Sequence, residues 1–175
     1  MTPYRNPDRL TDLMDREAIR DCLYRYCRGI DRADEAALHG AYWPDATDRH
    51  GAMASGPVQN FFDRCREAFA AAPRNIHLVS NILIEFQSPT RAHVESYFSA
   101  LQRAGSGQAA LSGRYCDVFE KRGEDWRVLH RLVVYDWVET GPAPEGDEAS
   151  LFGPRAPRGS AFPTDPVYQF NDISG

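Results

Sequence analysis

No run of apolar residues in the 175-residue chain approaches the roughly 18 that a membrane span requires. The amino-terminal Met1-Thr2-Pro3-Tyr4-Arg5-Asn6-Pro7 offers no apolar core for a secretory signal. Cysteine is scarce as well. Cys22, Cys27, Cys65 and Cys116 show neither Cys-x-x-Cys spacing nor the density of a disulfide scaffold. The expected setting is therefore reduced and cytoplasmic. No His-x-His, His-Glu-x-x-His or Cys/His cluster is present, so no metal is expected. Neither Gly-x-Gly-x-x-Gly nor a P-loop supports a nucleotide, no cofactor is expected, and there is no Gly-x-Ser-x-Gly elbow. A net charge of -5 lacks the basic excess of a nucleic-acid binder.

What is present reads as helices followed by strands. From residue 10 to 30, Ile19, Cys22, Leu23, Tyr26, Cys27 and Ile30 recur at the three-and-four spacing of an amphipathic helix. Asp12 or Asp15 can cap its start, and Gly29 weakens its last turn. A short helix over about 34–42 is stopped by Pro44. Residues 45–56 read as loop or short strand. Pro57 suits the first turn of a third helix reaching about residue 72, with Phe61, Phe62, Cys65 and Phe69 as its stripe.

Beyond Pro73 the period becomes two. Ile76, Ile82, Ile84 and Phe86 alternate with His77, Val79, Asn81, Leu83 and Glu85. Further strands are predicted over about 92–102, 110–121 and 126–138, separated by Gly/Ser/Pro/Asp turns. Helices first and a strand meander after them give an α+β domain, residues 1–139, with an antiparallel sheet over the helices. Residues 140–175 form a Pro/Gly-rich tail. Phe152, Phe162, Val167, Tyr168 and Phe170 give it side chains to bury, over the pocket or a neighbouring subunit.

Three side chains stand out chemically. Asp31, at the end of the first helix, is misplaced for the helix dipole, which favours a cation there. Position alone also suits a solvated acid. His77, among apolar neighbours, fits a core residue. It also has the side chain whose ordinary pKa, near 6.5, suits proton transfer, and a carboxylate on one ring nitrogen would orient the other as a base. Arg131, in a run with Leu129, Val133, Tyr135 and Trp137, needs an anionic or polar partner if it faces inward. Water or a subunit interface would serve it otherwise. Tyr26, Trp43, His50, Tyr97, Tyr115 and Asn81 are further candidate lining residues, for which core packing is the plainer alternative.

The run Ala18-Ile19-Arg20-Asp21-Cys22-Leu23-Tyr24-Arg25-Tyr26-Cys27-Arg28-Gly29-Ile30-Asp31 resembles the opening helix of SnoaL-like domains, of the nuclear transport factor 2-like superfamily. Tyr42-Trp43-Pro44-Asp45-Ala46, Ile76-His77 with Asn81, Gly113-Arg114-Tyr115 and Trp126-Arg127-Val128 fall where that group has similar segments. The resemblance covers about residues 10–138. It implies a cystatin-like cone, helices packed in a strongly curved antiparallel sheet, with an interior pocket. Its lyase members hexachlorocyclohexane dehydrochlorinase, bile-acid 7α-dehydratase and scytalone dehydratase use a His–Asp dyad, which His77 and Asp31 match. Tyr26 stands where the dehydrochlorinase has a pocket lysine and the bile-acid enzyme a tyrosine. Arg131 matches a pocket arginine on the final strand, and His50 replaces a second pocket tyrosine. The implied activity is a lyase acting on a hydrophobic cyclic compound. An isomerase or cyclase of a polyketide or steroid, and a non-catalytic ligand-binding or oxygenase small-subunit role, are alternatives on the same fold. A homo-oligomer is expected, trimer above dimer.

Overall fold

In the computed structural model, which describes residues 4, 8–71, 74–143, 157 and 159–170, three helices precede a long strand meander. Helix α1 (Arg9–Arg32) buries the whole predicted stripe from Ile19 to Ile30. Each such side chain contributes roughly 1.5–3 kcal/mol when fully removed from water. The cap lies farther upstream than expected. Asp8 accepts hydrogen bonds from the Leu10 amide at 3.0 Å and the Thr11 hydroxyl at 2.6 Å. Asp12 instead pairs with Arg16, and the buried Asp15 with Lys121. Ala33 ends the helix in the left-handed conformation, and Asp34 caps α2 (Glu35–Gly40) by accepting from Ala37 N.

Residues 42–49, expected to hold the end of the second helix and then a loop or short strand, form strand β1 (Tyr42–Arg49) throughout. Pro44 falls in the stretch where β1 slips register, so its missing N–H breaks no ladder. Strand β2 (Ser55–Pro57) leads into α3 (Val58–Ala70), which buries Phe61, Phe62 and Cys65. Strands β3 (Arg74–Ser88), β4 (Arg91–Ala104), β5 (Gly107–Arg122) and β6 (Asp125–Pro142) are each longer than their apolar runs suggested. β6 continues three residues beyond the boundary expected at 139. The sheet order is β2-β1-β6-β5-β4-β3. Among the described residues only the β1–β6 contact is parallel. This is an α+β fold, a curved, unclosed sheet carrying helices on its concave side.

One local feature decides which side chains face the helices. Asn81 adopts φ 48° at a bulge in β3, where the pairing with β4 jumps from Ser80 to Leu83. The extra residue reverses the alternation. Asn75, His77 and Val79 face inward before it, and Ile82, Ile84 and Phe86 after it. The expectation that Asn81 shares a side with His77 is therefore wrong. It is exposed. The convex face carries Ile76, Leu78, Leu101 and Trp137, each more than half exposed.

Gly29 has a use that helix propensity hides. A Cβ there would stand 2.7 Å from the Leu38 backbone nitrogen, so the residue lets α2 cross tightly over α1. Alanine is favoured over glycine within a helix by about 1 kcal/mol. We nevertheless expect Gly29→Ala to lower stability, by about 1–3 kcal/mol, measured by urea denaturation. A stabilised variant would refute the close-crossing account.

Candidate active site

The end of α1 and the start of β3 bring Asp31 and His77 together. The His77 ring Nδ1 lies 2.6 Å from Asp31 Oδ1, and the His77 backbone N–H donates to Oδ2 at 2.9 Å. One carboxylate thus holds both the ring and the main chain of the same residue. Both side chains are largely buried, at 7% exposure for His77 and 12% for Asp31. With Nδ1–H given to the carboxylate, the neutral ring keeps its lone pair on Nε2. That nitrogen has no hydrogen-bond partner among the described residues. An oriented imidazole of this kind can take a proton, and the carboxylate stabilises the resulting cation.

A cavity of about 910 Å³ opens between the end of α1, the starts of β3 and β5 and the ends of β4 and β6. Its wall includes Asp31, Ile30, Phe69, Asn75, Gln102 and Thr140. Asp31 is the member of the pair on that wall. His77 sits one pleat deeper than Asn75, on the same face of β3.

The other predicted residues are placed differently. Tyr26, Tyr115 and Arg131 do not line the cavity; they are fully buried core. The Arg131 guanidinium lies 4.2 Å from the centroid of each tyrosine ring and pairs with Asp117 through Nε at 2.8 Å and Nη2 at 2.7 Å. Burial pushes the Asp117 carboxyl up while Arg131 opposes the shift. Burial also works against the Arg131 charge, and Asp117 overrides it. The partner that an inward arginine needs is thus internal. Burial likewise pushes the Tyr115 hydroxyl upward and the Cys22 and Cys27 thiols up to about 12, which leaves no thiolate nucleophile there.

His50 forms a second histidine–carboxylate pair, absent from the sequence reading. Its Nδ1 is 3.0 Å from the buried Asp48, whose other oxygen accepts from Tyr42 OH at 2.8 Å, and its ring stacks on Phe61. It is not on the cavity wall. Trp43 donates its indole N–H to Glu120 O and lies between Arg122 and Arg127. Tyr97 is 43% exposed, on the convex side. Neither reaches the cavity, and nor does Asn81. Asp117 was the residue to find. It falls in the alternating inward series Tyr115, Asp117, Phe119, where a carboxylate demands a buried cation.

The chain matches the SnoaL-like domain over residues 11–132, well over half its length. It belongs to that family. Solved structures of similar shape include a candidate scytalone dehydratase of Novosphingobium aromaticivorans, 21% identical with a TM-score of 0.68, covering 74% of this chain and 89% of that one. A hexachlorocyclohexane dehydrochlorinase, LinA-type3 of Novosphingobium barchaimii, is 20% identical with a TM-score of 0.66, covering 77% and 93%. A Nostoc punctiforme protein of unknown function with a cystatin-like fold is 19% identical with a TM-score of 0.55, covering 70% and 91%. At such identities these likenesses establish the fold. No curated protein matches by sequence. Among the described residues no group of three or more His, Cys, Asp or Glu is arranged to hold a metal. Among the described residues no helix is long and apolar enough to cross a membrane.

Part of the SnoaL-like chain's tail meets the site. Gly159, Ser160 and Ala161 stand on the cavity wall. Phe162 N–H donates to Arg32 O, Asp165 pairs with Arg32 at 3.1 Å, and Tyr168 OH donates to Asp34 at 2.8 Å. The segment is therefore fastened to the residues that directly follow Asp31. Phe162 and Phe170 are more than half exposed, and Phe152 lies outside the described residues.

Two outcomes follow from this geometry. Arg131→Met strands the buried Asp117 carboxylate and should cost about 3–5 kcal/mol, read by chemical denaturation; a change near zero would mean that the pair is not buried. Asp165 titrates below its ordinary 3.8 because, against the effect of burial, the Ser160 and Val167 amides and Arg32 stabilise its charge. Its contribution is complete above pH 3.8 and is lost as pH falls through the lowered value. Hydrogen exchange across residues 159–170 should accelerate over that acidic range and, at neutral pH, in Asp165→Ala.

Proposed function

We propose that this SnoaL-like protein is a lyase that eliminates water or hydrogen halide from a hydrophobic cyclic small molecule, with His77 as base and Asp31 as its orienting carboxylate. The observation that carries the reading is the double hold of Asp31 on His77, 2.6 Å to the ring and 2.9 Å to the backbone. A histidine in a structural role needs one such contact. Fixing both ring and main chain sets the direction of Nε2, the requirement for abstracting a proton from carbon.

In the step itself, Nε2 forms a bond to the substrate proton. The C–H electron pair becomes the new C=C bond, and the leaving group departs with the pair of its own bond to carbon. Asp31 stabilises the imidazolium until the proton passes on, to departing hydroxide as water or to solvent if halide leaves. Similar folds described as a candidate scytalone dehydratase and a hexachlorocyclohexane dehydrochlorinase support elimination as the reaction type. Isomerisation or ring closure uses the same base and returns the proton, so product mass separates it from elimination.

A ligand-binding role without chemistry has an observation of its own. Tyr26, Tyr115 and Arg131 fill the interior, and His77 is not itself on the cavity wall.

The deciding experiment screens hydroxylated and halogenated cyclic compounds for loss of water or hydrogen halide by mass spectrometry. His77→Ala and Asp31→Asn should each lower turnover by roughly 10²–10⁴-fold while circular dichroism stays that of the parent. Full activity in His77→Ala would sink the mechanism. Ligand binding with no turnover in the parent would leave the binding role.

A further inference from the structure

Strand β6 runs past one of its two neighbours. β1 accompanies it only as far as Leu132, whereas β5 stays paired with it to Pro142. On the side away from β5, the backbone of residues 133–141 makes no hydrogen bond with any described element. Ala143 N–H donates to Ser106 O, and bonded and non-bonded pairs alternate along an antiparallel ladder. Val138 and Thr140 therefore turn their backbone N–H and C=O groups away from β5, into an open edge. Every residue from Tyr135 to Pro142 is exposed, Trp137 at 65% and Val138 at 55%.

An edge of this kind is ordinarily guarded by lysine, proline, a bulge or a covering element. Residues 137–141 contain neither lysine nor proline, and Glu139 is their one charge. The bulge lies before them, at Asp136, whose carboxylate is neutralised by Arg114 at 2.9 Å. Tryptophan, exposed here on a regular strand, is among the residue types most enriched at the centres of interfaces. Such an edge accepts another strand. A second copy of this chain fits, because the segment is complementary to itself. A two-fold axis through Val138 sets Val138 opposite the partner's Val138, and Trp137 opposite the partner's Glu139. An axis through Glu139 would oppose two carboxylates, which destabilises a cross-strand pair. One through Thr140 would bring Pro142, which has no N–H, into the ladder.

We propose that β6 pairs edge to edge and antiparallel with β6 of a second copy, about a two-fold axis at Val138, joining the two sheets into one. Each Val138 N–H donates to the partner's Val138 carbonyl. An isologous contact of this kind uses the open edge once and closes, so it gives two chains where the sequence favoured three. It also bears on the cavity. Glu139, Thr140 and Gly141 stand on the cavity wall, and the partner's strand runs about 4.8 Å beyond them. The wall is therefore extended by the second copy, and the cavity is complete only in the assembled protein, whether or not His77 acts as a base.

The first measurement is the mass of the unmodified protein by light scattering after gel filtration at micromolar concentration, which should be twice that of one chain. Val138→Pro removes an outward N–H and no bond to β5. It should weaken dimerisation by about tenfold or more, the yield of two lost hydrogen bonds, with circular dichroism unchanged. Val138→Cys should form a covalent dimer on oxidation. Glu139→Cys should not, because its counterpart lies diagonally, beyond the roughly 7 Å that a disulfide spans. Nor should the unmodified protein, whose own cysteines are buried or half-buried. A monomer or a trimer, an undiminished dimer in Val138→Pro, or cross-linking through Glu139→Cys in place of Val138→Cys would overturn the proposal. The mass of the unmodified protein decides the matter even if Val138→Pro fails to fold.

Discussion

A carboxylate at the carboxyl-terminal end of a helix sits against the negative end of the dipole, and Asp31 occupies that position at the end of α1. The structure answers the misfit with His77, whose ring and backbone N–H both reach the same carboxylate. That contact joins the first helix to the first long strand across 46 residues of sequence. It fixes where β3 begins relative to α1, and so which β3 residues look inward. The same constraint explains why the dyad lies beside the cavity and not within the core. Asp31 lies in the last turn of its helix, where the sheet and the tail segment enclose the cavity.

The second constraint is the buried Arg131. A guanidinium without exposure is tolerated because Asp117 grips it twice and two tyrosine rings cover its faces. This arrangement fills the interior between α1 and the middle of β5 and β6 with paired polar groups, supported by Tyr42, Asp48 and His50, and leaves Arg131 Nη1 without a hydrogen-bond partner. The cavity lies farther along the strands, where Asn75, Gln102 and Thr140 share its wall with residues 159–161 of the tail. The ion pair and the open cavity are therefore separated along the long strands. The inner half carries the ion pair and aromatic packing, and the outer half carries the cavity.

Much of the fold was legible from periodicity. The α1 stripe emerged in full, and the four long strands emerged in order though shorter than they are, because apolar spacing reports one-sided burial directly. The resemblance carried by residues 18–31 and 76–77 named the two members of the dyad and implied the cone. Other features were hidden for physical reasons. Strand β1 contains Pro44 and alternates poorly, since only its far end is regularly paired. The bulge at Asn81 left no mark in composition, yet it inverted the facing of every later residue in β3. Tyr26, Tyr115 and Arg131 were read as candidate pocket residues, with core packing the plainer alternative for the tyrosines and an outward face open for the arginine; all three lie in the core.

The sequence by itself determined the order of elements, the inward positions of the helices and the residue types available for proton transfer, because these depend on local spacing and on side-chain chemistry. Tertiary structure alone decided which inward residues touch a cavity, which carboxylate each cation receives, and which part of the tail closes over it. Those are properties of register and packing across strands far apart in the chain. A single shifted residue such as Asn81 changes them without altering the local pattern on either side.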